Sequence, residues 1–221
     1  MMRETKENRT EDFLDSLRQG NSPVAEKIRK EAIAKNVPVI RRETEDFLKA
    51  VLSAVQPSDV LEVGTAVGYS AIVMSEILPD TAHITTIENY EPRILAAEKN
   101  LRRAGAGKKI TLVPEEAGKV LKKLETSGFD LIFMDAAKGQ YAKWFPDLLR
   151  ILRVNGVLIS DNVLQEGTLQ ESRFAVDRRD RTIHERMREY LFTLTHTEGL
   201  VTAVLPIGDG VSMSVKKKGI A

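Results

Sequence analysis

From Ser58 onward the chain repeats one unit: a short apolar run, then a segment long enough for a helix. The runs are residues 60–63 (VLEV), 84–87 (ITTI), 110–113 (ITLV), 131–134 (LIFM) and 157–159 (VLI). Each of the first four is followed by a stretch that can cross over and return to the same edge of a sheet. That alternation predicts a parallel sheet with helices on both faces. The end breaks the pattern, because LVTAVLPIGDGVSMSV holds two β-rich runs around Ile207-Gly208-Asp209-Gly210, a hairpin signal. The expected fold is therefore α/β, a doubly wound seven-stranded and mostly parallel sheet closed by a C-terminal antiparallel hairpin. A plain dinucleotide fold does not need that hairpin.

Residues 1–56 read as a helical N-terminal arm, and 57–221 as one compact α/β unit. The pentapeptide TEDFL occurs at 10–14 and again at 44–48. In each copy a threonine precedes two acids, which predicts a capped helix start at Thr10 and at Thr44. Ser22-Pro23 starts a further helix through Lys35, and Asn36-Val37-Pro38 ends it.

Composition removes several chemistries. The chain has no cysteine, so disulfides, thiolate zinc sites and Cys nucleophiles are excluded. His83, His184 and His196 stand far apart in sequence, which leaves only a hard metal held by oxygens. Lys plus Arg (33) against Asp plus Glu (32) gives +1, so bulk charge demands neither nucleic acid nor a membrane. No run approaches the ~18 apolar residues of a membrane span, and MMRETKENRTEDF has no apolar h-region. A cytoplasmic protein without a membrane partner is expected.

The first run ends in LEVGTAVGYS, where Gly64, Thr65 and Gly68 form a tight strand-to-helix turn that a ligand can approach closely. A dinucleotide fingerprint would need G-x-G-x-x-G, but the middle position is Ala66 and no third glycine follows. Glu62, just before the turn, would repel a pyrophosphate and suit an ammonium group. Glu88 ends the second run 26 residues later, where an acid in such folds accepts hydrogen bonds from ribose hydroxyls. A solvated acid capping the next helix is the alternative. Together Glu62 and Glu88 describe a ligand with a ribose and a cation but no phosphate. S-adenosylmethionine fits that description; NAD and ATP do not.

LEVGTAVGYS, FMDAAKGQY and ISDNVL, in that order and spacing, resemble the signature set of the metal-dependent O-methyltransferases that include the catechol and caffeoyl-coenzyme A enzymes. The resemblance spans roughly residues 37–217. It implies a Rossmann-like methyltransferase fold and a homodimer. Asp135 closes the fourth strand and Asp161-Asn162 the fifth, so two carboxylates and an amide can converge on Mg²⁺ or Mn²⁺. Acids satisfied in strand-end turns are the alternative.

In the family the lysine matching Lys138 is the proposed general base, acting beside Asp135 on a hydroxyl that the metal acidifies. The resemblance also lays Val39 and Ile40 over the amino-acid end of the cofactor and places Glu116 and Ala117 near adenine. Ser70 is placed to reach the cofactor's carboxylate or, equally, to cap its own helix.

The acceptor is read from the segment after Asn162. Residues 171–190 hold six arginines (173, 178, 179, 181, 186 and 188) against five acids. A solvated helix face accounts for such a run, and so does an RNA backbone. Arg178, Arg179 and Arg181 are expected beside the metal, with Arg41 and Arg42 at the N-terminal edge of the same crevice. NVPVIRR, DNVL, RRDRT and IGDG resemble the bacterial branch that methylates 5-hydroxyuridine of tRNA to 5-methoxyuridine at the wobble position. That resemblance implies a tRNA partner. The rival acceptor is a catechol-like or caffeoyl-coenzyme A-like small molecule; more distant rivals are a nicotinamide-dependent oxidoreductase and a non-catalytic RNA-binding module.

Overall fold

A computed structural model describes residues 6–172 and 174–218. Three helices come first: α1 (Lys6–Leu17), α2 (Pro23–Ala34) and α3 (Arg42–Val55). Strands and helices then alternate through β1 (Asp59–Val63), α4 (Tyr69–Ile77), β2 (His83–Ile87), α5 (Glu91–Arg103), β3 (Ile110–Val113), α6 (Ala117–Lys123) and β4 (Phe129–Met134). The chain closes with α7 (Tyr141–Ile151), β5 (Leu152–Ser160), α8 (Arg181–His196), β6 (Leu200–Leu205) and β7 (Val211–Lys216). The seven strands form one sheet in the order β3-β2-β1-β4-β5-β7-β6. β1 to β5 are parallel; β7 inserts between β5 and β6 and pairs antiparallel with both, so it alone runs against the rest. The expected architecture is present.

Alternate strand residues feed two cores. Val60, Ile84, Leu131, Phe133, Val157 and Ile159 pack with α2, α3 and α4 on one face. Leu61, Val63, Ile87, Ile132, Met134 and Leu158 pack with α6, α7 and α8 on the other. This two-sided burial is why the runs are nearly all apolar. Ala25, Ile28, Leu48 and Leu52 belong to the first core, so the arm from α2 onward is built into the α/β unit.

Local starts differ in part from expectation. Ser22 caps α2, its hydroxyl accepting from the Ala25 N–H at 3.2 Å, as its sequence predicts. Neither TEDFL copy is a start. Thr10 lies inside α1 and Thr44 is the third residue of α3, whose cap is Arg41. Thr44 is fully buried and its hydroxyl is spent on a tertiary contact instead. β5 is longer than residues 157–159, because a register shift lets Leu152 pair with Phe129 ahead of the regular ladder. Among the described residues no helix is long and apolar enough to cross a membrane.

Candidate active site

The strand order reverses between β1 and β4, and a cavity of about 910 Å³ opens there, beyond the C-terminal strand ends. Its walls include Gly64 after β1, Glu88 after β2, Asp135 after β4 and Asp161-Asn162 after β5. Val39, Ile40 and Arg41 close one side; Glu116, Ala117, Lys138 and Trp144 line another.

Gly64 makes the meeting of β1 and β4 possible. At φ +107° it occupies backbone space that side chains avoid, and a Cβ there would stand 2.0 Å from the Asp135 carbonyl oxygen. Behind this turn Glu62 is fully buried. One of its oxygens, Oε2, accepts from the Thr86 hydroxyl, while Oε1 has no hydrogen-bond partner. Burial pushes its carboxyl up to about 7, against the pull of the Ser70 and Thr86 hydroxyls and with help from Asp135 and Glu88.

Glu88 is held differently. Its carboxylate accepts from the backbone N–H groups of Ala66, Asn89 and Tyr90, each at 3.0 Å. Three fixed donors aim the group at the cavity and leave lone pairs for a ligand's hydroxyls.

At the ends of β4 and β5, the Asn162 side-chain amide donates to Asp135 Oδ1 at 3.2 Å. Asp161 Oδ1 accepts from the Asn162 N–H at 2.8 Å and from the Thr44 hydroxyl at 3.2 Å. The Tyr141 hydroxyl accepts from the Ala136 N–H and lies 3.2 and 3.3 Å from the carbonyls of Met134 and Asp161, tying the two strand ends together. Burial, then the neighbouring Asp135 and Asp209, pushes the Asp161 carboxyl up to about 7. Burial raises Asp135 as well, opposed by Asn162, Lys138 and Arg93. Two carboxylates that resist joint ionisation, with an amide beside them, are a donor set that a hard dication would favour. Among the described residues no three His, Cys, Asp or Glu side chains converge on one point, so the amide is needed to complete the set.

Other expected contacts divide. Val39, Ile40, Glu88, Glu116, Ala117, Asp135, Lys138, Asp161, Asn162 and Arg41 all line the cavity. Glu116 also caps α6, accepting from the Gly118 and Lys119 N–H groups at 2.9 and 3.0 Å. Glu62, Thr65, Gly68 and Ser70 do not reach the wall. Thr65 and Ser70 are buried, and the Thr65 hydroxyl lies 2.6 Å from that of Thr86. Gly68 packs α4 on Ala97 of α5, where a Cβ would meet it at 3.6 Å.

The arginines mostly leave the expected crevice. Arg42 donates to Glu26, Glu45 and Tyr69 in a network between α2, α3 and α4, away from the cavity. Arg41 reaches the wall but pairs with Asp209 at 2.7 Å. Arg181 is folded back on the Val176 carbonyl at 3.2 Å and lies over the Phe174 ring. Arg178 and Arg179 are exposed, Arg179 beside Asp177 and Asp180, and neither lines the cavity. Arg173 falls outside the described residues. The expectation that this run borders Asp135, Asp161 and Asn162 is thus corrected: Arg178 and Arg179 lie in the exposed turn ahead of α8, Arg181 opens that helix, and none of the three lines the cavity.

Sequence reasoning missed Thr44, Asp209 and Trp144. Thr44 looks like a cap, Asp209 like a turn residue between glycines, and Trp144 like core. The buried Trp144 Nε1 has no partner, and Gly118 lets it approach, since a Cβ there would stand 2.8 Å away.

Comparison with known proteins gives matches over most of the chain. The family model described as O-methyltransferase matches residues 16–217. A catechol O-methyltransferase of Niastella koreensis is 36% identical over 125 residues, covering 55% of this chain and 56% of that protein. The match therefore spans little more than half of that relative. A caffeoyl-CoA O-methyltransferase of Petroselinum crispum is 28% identical over 204 residues, covering 86% and 83%. Among solved structures, an SAH-bound Podospora anserina methyltransferase superposes with a TM-score of 0.86 at 24% identity, covering 99% of both chains, and it speaks for the fold.

Proposed function

This chain belongs to the O-methyltransferase family, and on that premise we propose that it moves a methyl group from S-adenosylmethionine to one of two neighbouring oxygens of an acceptor, with Asp135, Asp161 and Asn162 holding a divalent metal. The observation that carries the reading is the convergence of these three side chains on the cavity that Glu88 also faces. The sulfonium would supply the reactive methyl group, and Mg²⁺ or Mn²⁺ would supply Lewis acidity toward the acceptor hydroxyl. The chain's own part is positioning. Glu88, aimed by three amides, accepts from the ribose hydroxyls. Glu62, buried behind the Gly64 turn and off the cavity wall, would act on the ammonium end only through its charge, and its unpartnered Oε1 is the acceptor left over there. Lys138, in the cavity wall, takes the proton from the acceptor hydroxyl.

For the acceptor we propose the 5-hydroxyuridine of a tRNA wobble position, whose 5-oxygen and 4-carbonyl stand side by side. The exposed Arg178 and Arg179, and the cations Arg93, Lys138 and Lys143 on the cavity wall, support a polyanionic substrate. A tRNA acceptor would place the enzyme in the cytoplasm. Exposed Phe13, Leu14 and Leu17 on α1 suit a homodimer contact. The second reading is a catechol-like small molecule, favoured by the names of the relatives.

The test is transfer of labelled methyl to tRNA lacking the modification, run beside catechols, with nucleoside mass spectrometry of the product. 5-Methoxyuridine in the tRNA supports the first reading; catechol methylation with unmodified tRNA supports the second.

A further inference from the structure

A second, smaller cavity of about 300 Å³ adjoins the active-site cavity and shares Gln140 and Lys143 with it. Its remaining walls are Gly139, Ala142, Arg186 and Glu189. The α7 start and the exposed face of α8 build it, with Lys143 on the first and Arg186 on the second.

Both cations are poorly matched within the chain. Lys143 makes no hydrogen bond or ion pair among the described residues, and Arg186 makes one contact, from Nη1 to the Gly139 carbonyl at 3.2 Å. Arg18, Arg103 and Arg153 are matched to acids, Arg18 to Asp15, Glu43 and Asp46, Arg103 to Glu31, Arg153 to Asp59 and Asp130, whereas Arg29, Arg181 and Arg188 share with Arg186 a backbone carbonyl as partner. Gly139 is what lets the guanidinium lie across the backbone, since a Cβ there would stand 3.3 Å from that nitrogen. Lys143 and Arg186 against Glu189 leave a local charge of 2 − 1 = +1. That balances the single negative charge of a phosphodiester better than the double charge of a phosphate monoester.

We propose that Lys143 and Arg186, across Gly139, bind the phosphodiester next to the nucleotide whose base occupies the active-site cavity. The proposal rests on the reading of the acceptor as RNA and names the contact that would hold its backbone. Because Gln140 and Lys143 belong to both cavities, a base in one and its own backbone phosphate in the other need no long tether. Phosphate contacts of this kind fix register and leave base choice to the neighbouring pocket.

Two measurements test it. In the first, the backbone amide of Gly139, which lines only the smaller cavity, is followed by nuclear magnetic resonance while metal-free protein is titrated with the dinucleotide UpU or with uridine. Saturable shifts with UpU, absent with uridine and lost in K143Q/R186Q, are expected. Shifts that persist in the double variant, or no saturable response to UpU, would overturn the proposal.

In the second, methyl transfer is measured with a stem-loop RNA carrying 5-hydroxyuridine and with a catechol. R186E should raise KM for the stem-loop about tenfold at unchanged kcat and leave the catechol KM alone, with a shallower salt dependence. An unchanged stem-loop KM sinks the phosphate site while the RNA reading stands. Should the wild-type protein not methylate the stem-loop at all, the RNA reading falls and the UpU titration decides the phosphate site by itself.

Discussion

The Thr44 hydroxyl donates to Asp161 Oδ1 at 3.2 Å, across 117 residues of sequence, and joins the third helix to the end of the fifth strand. Thr44 has no exposed surface, and Gly208 stands so close that a Cβ there would be 2.8 Å from the same hydroxyl oxygen. An N-terminal helix thereby fixes the orientation of one proposed metal ligand.

Thr44→Val keeps the volume and removes the donor. Partners behind a metal ligand are commonly worth 10–100-fold in affinity, so Mg²⁺ or Mn²⁺ binding should weaken about tenfold by calorimetry. Affinity for S-adenosylhomocysteine should stay the same. Unchanged metal affinity would show that Asp161 needs no support from α3.

Gly64→Ala tests the close approach of β1 to β4. With a Cβ 2.0 Å from the Asp135 carbonyl oxygen, the added methyl must displace backbone. A loss of about 2–4 kcal/mol in denaturant unfolding is expected, from overpacking and a backbone conformation that favours glycine. A variant of wild-type stability would mean the turn yields easily.

Glu62 predicts the pH dependence of the ligand-free protein. Its folded carboxyl titrates near 7, above the ordinary 4.5, so the folded state holds a proton that the unfolded state releases. Stability from this group is therefore present below about 4.5 and is lost as pH rises to about 7. Glu62→Gln should make that stretch shallower, the Asp161 carboxyl (also pushed up to about 7) keeping part of the slope, and gain up to about 3 kcal/mol at pH 8 relative to wild type. Parallel stability curves for the two proteins would contradict the assignment.

Arg42 and the pair Arg178–Arg179 should separate cleanly. Arg42→Ala breaks the ion pair with Glu26 and one of the contacts to Glu45, which is 1% exposed, so about 1–3 kcal/mol of stability should go. KM for RNA should not change. Arg178→Glu with Arg179→Glu should leave stability alone and raise KM for RNA, most at low salt. Loss of RNA methylation in Arg42→Ala without loss of stability would reverse these roles.

Much of this architecture is written in residue patterns. Runs such as LIFM and VLI are apolar on both faces because the sheet is covered on both, and that is readable without coordinates. Strand ends are also where an acid has a forced location, so Glu88, Asp135, Asp161 and Asn162 could be placed on the cavity in advance. Thr44 could not, because a threonine before two acids reads the same whether it caps a helix or reaches a distant carboxylate. Arg42 and Arg181 misled for a related reason: charge in sequence does not reveal whether Glu26 or the Val176 carbonyl already holds the guanidinium. Lys143 and Arg186 lie 43 residues apart and meet only because α8 returns beside the start of α7.

The most direct measurement is methyl transfer by the purified protein before and after chelation with EDTA, repeated for Asp135→Ala, Asp161→Ala and Asn162→Ala, with S-adenosylhomocysteine binding followed in parallel. Transfer should fall at least about a hundredfold on chelation, return with Mg²⁺ or Mn²⁺ in the wild type alone, and leave measurable cofactor binding in Asn162→Ala. Full turnover in EDTA, or in all three variants, would contradict the account.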